Sequence, residues 1–68
     1  MTNQNGEASP LRLLPPLVTA DRIGVNIRTL ERLVKRGEFA KPRRVSANRI
    51  GFVEAEVNQW IASRPEAA

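Results

Sequence analysis

Apolar residues in the middle of the chain recur at helical spacing, and the pattern predicts an amphipathic helix there. Asn26 is a good N-cap residue for the start of this helix. Gly37 suits the left-handed position just past its end. The apolar face consists of Ile27, Leu30, Leu33 and Val34.

A shorter helix is predicted immediately before it. Thr19 is a favourable N-cap for a segment from Ala20 to about Ile23, and Gly24 ends this segment. Two helices separated by only a few residues, of which the second is amphipathic, predict a helix-turn-helix. In such a motif the second helix enters the major groove of DNA.

The residues before these two predicted helices lack helical apolar periodicity. Residues 1–10 are polar, contain Gly and Pro and lack apolar periodicity, so we predict a disordered tail. The prolines at positions 15 and 16 favour an extended path for residues 11–18 and interrupt the apolar run, which argues against a signal peptide or a membrane span. One of three leucines is then expected to lie against the core: Leu13, Leu14 or Leu17.

Residues 41–53 change to an alternating pattern, which predicts a two-stranded β-hairpin. Its turn is expected around Ala47 and Asn48, where Asn48 tolerates a positive φ. Its apolar strand positions are Val45, Ile50 and Phe52.

A third helix is predicted after the hairpin, with Glu54 and Glu56 in its first turn and Pro65 stopping it after Arg64. The fold class is therefore mostly α with a small β-hairpin: a winged helix-turn-helix of three helices and a two-stranded wing. We assign it residues 11–64, followed by a tail of residues 65–68. The apolar stripe of the third helix is Val53, Val57, Trp60 and Ile61.

Charge is segregated along the chain. The 68 residues carry a formal charge of +4, whereas residues 22–49 contain nine Lys and Arg against two Glu, a net +7. This distribution points to an acidic partner such as double-stranded DNA. Cysteine and histidine are both absent, which excludes disulfides, zinc fingers, thiol nucleophiles and imidazole bases. We therefore expect no catalysis, no metal and no cofactor.

Candidate DNA-binding residues fall into two groups. The exposed face of the amphipathic helix presents Arg28, Thr29, Arg32, Lys35 and Arg36. The hairpin segment adds Lys41, Arg43, Arg44, Asn48 and Arg49.

Each group also has a purely structural interpretation. The helix face could be an ordinary solvated surface on which Glu31 and Lys35 pair, and the hairpin could be an edge protected from aggregation by its charge. The absence of acids between Glu38 and Glu54 favours the DNA-binding wing. Trp60 could be a base-stacking platform, but its place on the apolar stripe favours a core position, as for Phe39 and Phe52.

Two segments carry a family resemblance. They read TADRIGVNIRTLERLVKRGEFAKP and RIGFVEAEVNQWIASR, and they resemble the AlpA-like proteins and related excisionases with a MerR-like winged helix over about residues 17–64. The departures from the family pattern are Asn26 in place of Ser, Glu31 in place of an aromatic residue, Ala40 in place of Pro and Phe52 in place of Trp. Of these, Glu31 could alter base preference, because a carboxylate accepts from the amino group of cytosine.

The resemblance implies two functions. We prefer an excisionase, a recombination directionality factor that loads cooperatively on repeated sites and bends DNA for a tyrosine-type integrase. The alternative is a transcriptional regulator of a prophage or integrative-element gene. In either case we expect a bacterial or phage-encoded, cytoplasmic, nucleoid-associated protein that is monomeric in solution and assembles head to tail on DNA. A protein-interaction adaptor and an RNA-binding module are the remaining alternatives, and the latter is disfavoured by the three aromatic residues, all expected in the core.

Overall fold

The computed structural model describes residues 12–67. Within this range it contains three helices and one antiparallel three-stranded sheet, which confirms the mostly α fold with a hairpin and is compatible with a winged helix-turn-helix. The predicted tail of residues 1–10 lies outside the described residues. The elements in chain order are β1 (Leu13–Leu14), α1 (Pro16–Ile23), α2 (Ile27–Lys35), β2 (Arg43–Ser46), β3 (Arg49–Val53) and α3 (Glu54–Ala62).

Helix α1 begins at Pro16, so the predicted extended path is wrong from that residue onwards. Proline is well suited to the first helical position, where its missing N–H would have no partner in any case. Thr19 is therefore not the N-cap. It lies inside the helix, fully buried, and its hydroxyl donates to the Pro15 carbonyl at 2.9 Å. Of the three candidate leucines, Leu14 is buried and Leu17 is 70% exposed.

Helix α2 begins and ends as predicted. The Asn26 side chain accepts a hydrogen bond from the Thr29 backbone N–H at 2.8 Å and caps the first turn. Gly24 ends α1 at φ 81° and Gly37 follows α2 at φ 73°, both in the left-handed region that glycine adopts without steric cost. The two helices thus form the helix-turn-helix.

The sheet contains one strand more than predicted. Strands β2 and β3 form the hairpin with its turn at residues 47 and 48, and β1 pairs antiparallel with the other edge of β3, placing Leu14 opposite Phe52. A Cβ at Gly51 would lie 3.2 Å from Val45 and 3.3 Å from Leu13. Glycine at this position therefore lets the two outer strands cover the central one.

The core lies between the helices and one face of the sheet. The Phe39 ring contacts Phe52 and Trp60 edge to face, with centroid distances of 5.4 and 4.8 Å. Trp60 is half-buried at the margin of this core, and its indole N–H donates to the Glu38 carbonyl at 2.8 Å. The buried apolar cluster is Leu14, Ala20, Leu30, Phe39, Phe52 and Val57.

Helix α3 is shorter than predicted. It ends at Ala62, and Ser63 rather than Arg64 occupies the C-cap position. Ile61, which was assigned to the apolar stripe, is 40% exposed. Within residues 12–67 no helix combines the length and apolar character needed to cross a membrane.

Candidate DNA-binding surface

The exposed face of α2 brings three of the predicted residues together. Arg28, Arg32 and Lys35 are exposed and line one shallow groove, together with Glu31. Their spacing of four and three residues places successive side chains one turn apart along the helix. The face is presented by a helix whose opposite side is anchored in the core through Leu30.

The other two predicted helix residues differ from this row. Thr29 is half-buried, and its backbone N–H is used by the Asn26 cap. Arg36 occupies the C-cap of α2 and lies 3.9 Å from the Glu38 carboxylate. Both side chains of that pair are more than half exposed, so the interaction contributes little stability.

The proposed neutralisation of this face by a Glu31–Lys35 pair is not found. The described residues 12–67 contain three ion pairs, and none of them involves Glu31 or Lys35. Arg28, Arg32 and Lys35 therefore form no ion pair within that part of the chain, and the row keeps a net positive charge beside the single carboxylate of Glu31. The three pairs are Arg22–Glu54, Arg36–Glu38 and Arg43–Glu56.

One face of the hairpin extends the α2 surface. Arg44 is paired with Ile50 across the two strands, and residues opposite each other point to the same side of a sheet. Phe52 follows Ile50 by two residues on β3, so the two side chains point to the same side of the sheet. Phe52 is buried in the core, and this side of the sheet therefore faces the helices. Ile50 and α2 residues Glu31 and Lys35 line a common groove of about 190 Å³. Arg44 therefore belongs to the same side of the molecule as the α2 row.

The opposite face of the hairpin turns towards α3. Arg43 is paired with Gly51, and its guanidinium donates to the Glu56 carboxylate at 2.7 Å. Lys41 and Arg43 line a wide groove with Glu56 and Trp60. The structure thus separates these two predicted residues from the α2 row.

The hairpin turn carries the last two predicted residues. Asn48 and Arg49 are exposed and border a groove beside β1. The turn itself is held by Arg44, whose guanidinium donates to the Ala47 carbonyl at 3.2 Å.

Two features were not predicted. Arg22, counted in the basic segment, donates to Glu54 at 2.9 Å and to Asn58 at 3.2 Å, and so links α1 to α3. Ile50 was predicted only as an apolar strand position, yet it is 43% exposed at the junction of α2 and the hairpin. The strand alternation was the available signal for Ile50, but the pairing register was needed to place it next to α2.

A basic helix presented by a helix-turn-helix, with a basic hairpin beside it, is the arrangement of a DNA-binding domain. Residues 27–65 match the family described as prophage CP4-57 regulatory protein (AlpA). This match covers more than half of the chain, which therefore belongs to the AlpA family, a family of prophage-associated DNA-binding regulators. It begins at the first residue of α2 and includes the hairpin and α3.

The predicted resemblance to the AlpA-like proteins is thus confirmed, whereas the relation to MerR-like winged helices stays a prediction. No curated protein and no solved structure matches the chain.

Proposed function

We propose that this protein is a sequence-specific, non-catalytic regulator of transcription that binds double-stranded DNA at a prophage or integrative-element gene. The observation that carries the proposal is the exposed row of Arg28, Arg32 and Lys35 on the second helix of a helix-turn-helix, none of which is ion-paired within residues 12–67. Family membership supports the regulatory role, because the family description names a regulatory protein. Regulation, which the sequence analysis placed second, is therefore the better supported of its two functions.

In the proposed complex α2 lies in the major groove. Arginine side chains there can donate two hydrogen bonds to guanine O6 and N7, and lysine contacts phosphate as a point charge. Arg44 and the hairpin turn with Asn48 and Arg49 would lie along the neighbouring backbone, where they set the register of α2. The groove lined by Lys41 and Arg43 would face away from the base edges.

The length of α2 limits what one copy can read. Nine residues extend about 13 Å, which corresponds to roughly four base pairs. Useful specificity then requires several copies on repeated sites. For this reason the excision factor, which would load cooperatively head to tail and bend DNA for a tyrosine-type integrase, is our second candidate function. A nucleoid-associated, cytoplasmic location accompanies both proposals.

A mobility-shift titration tests the proposal. The probes are duplexes from the promoter upstream of the gene and from the nearest element attachment site, each with a scrambled duplex of the same composition as control. Circularly permuted versions of the probes report bending. A discrete, sequence-dependent complex at the promoter is the expected result.

Other outcomes assign other functions. A ladder of cooperative, bent complexes confined to the attachment site would favour the excision factor. Equal, non-saturating binding to every duplex would contradict the proposal and support the adaptor. Preferential binding to single-stranded RNA would support the RNA-binding module.

A further inference from the structure

Glu31 occupies an unusual position for an acidic residue. It is the single acid on α2, whose sequence is IRTLERLVK. Its side chain is exposed and lines both the shallow groove with Arg28, Arg32 and Lys35 and the groove that Ile50 closes on the hairpin side. Glu31 therefore lies where the proposed DNA-reading helix meets the wing.

A carboxylate at this position weakens binding to phosphate unless it gains a partner in the complex. None of the ion pairs within residues 12–67 neutralises it. Phosphate repels it, whereas a hydrogen-bond donor on a base edge would attract it. The role of Glu31 thus depends on which base edges offer a donor in the major groove.

Cytosine offers the most suitable edge. An ionised carboxylate only accepts hydrogen bonds. Guanine and thymine present acceptors in the major groove. Adenine presents its N6 amino donor between two acceptors, its own N7 and the O4 of the paired thymine, whereas cytosine presents its N4 amino group with an acceptor on one side only, the O6 of the paired guanine. Glu31 next to N7 of adenine would be repelled, but next to N4 of cytosine it would not.

We infer that Glu31 determines base preference by accepting a hydrogen bond from the N4 amino group of a cytosine in the major groove. The flanking arginines, one turn before it and one residue after it, suit guanines at neighbouring positions. This inference deepens the proposed function and rests on it. It assigns to one residue a preference that the basic row alone would not produce.

The inference is tested by selecting binding sites from a random duplex library with three proteins. These are the wild type, Glu31→Gln and the control Glu38→Gln, which removes the same charge from a residue just after α2. Glutamine suits adenine, because it pairs with both N6 and N7. We expect one cytosine position in the wild-type site to change to adenine with Glu31→Gln and to remain cytosine with Glu38→Gln.

A direct probe of the hydrogen bond follows from the selected site. N4-methylcytosine keeps its Watson–Crick pairing but replaces the N4 hydrogen that faces the major groove. At the identified position it is expected to weaken wild-type binding about fivefold or more, and Glu31→Gln binding much less, as measured by fluorescence anisotropy. Thermal unfolding of each variant verifies that it is folded.

The outcomes separate this inference from the proposed function. If Glu31→Gln selects the wild-type site with uniformly higher affinity, Glu31 only reduces phosphate binding and the inference is wrong, while sequence-specific DNA binding stands. If the wild type enriches no duplex sequence at all, both are wrong.

Discussion

Arg43 and Arg44 are adjacent in the sequence but are expected to contribute very differently to DNA binding. Their side chains lie on opposite faces of the hairpin, with Arg44 on the side of α2 and Arg43 ion-paired with Glu56 at 2.7 Å. Arg44→Ala should remove one phosphate contact. Arg43→Ala should remove a charge that Glu56 already balances in the free protein.

The expected difference follows from counterion release. Each phosphate contact contributes about 0.9 to the slope of log affinity against log salt. When salt rises from 50 to 200 mM, the affinity of Arg44→Ala for DNA should therefore fall by a factor about 3.5 times smaller than the factor for the wild type. Arg43→Ala should retain the wild-type slope. The double variant Arg43→Ala with Arg44→Ala should change the slope by about 0.9 in total, not by twice that amount.

Fluorescence anisotropy on one labelled duplex at five salt concentrations measures these slopes. Thermal unfolding provides the folding control, and both single variants should remain folded. Arg43→Ala loses an exposed ion pair worth about 0 to 1 kcal/mol, and Arg44→Ala loses an exposed hydrogen bond to the Ala47 carbonyl worth about 1 kcal/mol. Equal slope changes for the two single variants would refute the assignment of the two hairpin faces. An unchanged slope for Arg44→Ala would exclude the inner face of the wing from the interface.

Three further predictions concern the helices and the core. Arg32→Ala should weaken binding to the selected duplex more than binding to a scrambled duplex, and the difference between the two losses should be roughly 1 to 3 kcal/mol. Equal losses on both duplexes, measured by anisotropy, would show that Arg32 only contacts phosphate. Trp60→Ala should lower the free energy of unfolding by about 3 kcal/mol, as measured by urea denaturation. Trp60→Phe should lower it by only about 1 kcal/mol, because phenylalanine keeps a ring against Phe39 but cannot donate a hydrogen bond to the Glu38 carbonyl. A stable Trp60→Ala protein that lost only DNA binding would contradict its structural role. Asn26→Ala should cost about 1 kcal/mol in the same assay by removing the α2 cap, and unaltered stability would show that the cap is unimportant.

The local signals of the sequence were sufficient for the bounds of α2 and for the position of the hairpin turn. Asn26 caps α2 through its own side chain, and Gly37 adopts the left-handed conformation because it has none, so both effects can be predicted from the residue itself. The predicted start of α1 was wrong because a Pro-Pro pair is compatible both with an extended segment and with the start of a helix. The first proline is extended, and the second begins a helix.

Non-local contacts account for what was missed. Strand β1 has only two residues, and its existence depends on pairing with β3 almost forty residues later. The same holds for the candidate site: the sequence indicates that Arg43 and Arg44 point to opposite faces, but not which face meets α2. The Arg22–Glu54 and Arg43–Glu56 pairs arise only from packing of α3, and they remove two arginines from the apparent basic surface.

The most direct measurement is an NMR titration of the ¹⁵N-labelled protein with its selected duplex, following every backbone amide and the Trp60 indole N–H. We expect the largest shifts from Arg28 of α2 to its C-cap residue Arg36, and in the hairpin from Arg44 to Ile50. Trp60 lies in α3, and its indole N–H donates to the Glu38 carbonyl. Because α3 packs on the side of the hairpin away from the proposed interface, the indole resonance should shift little. Largest shifts at Trp60 and along α3, with α2 unchanged, would contradict the assignment of α2 as the DNA-reading helix.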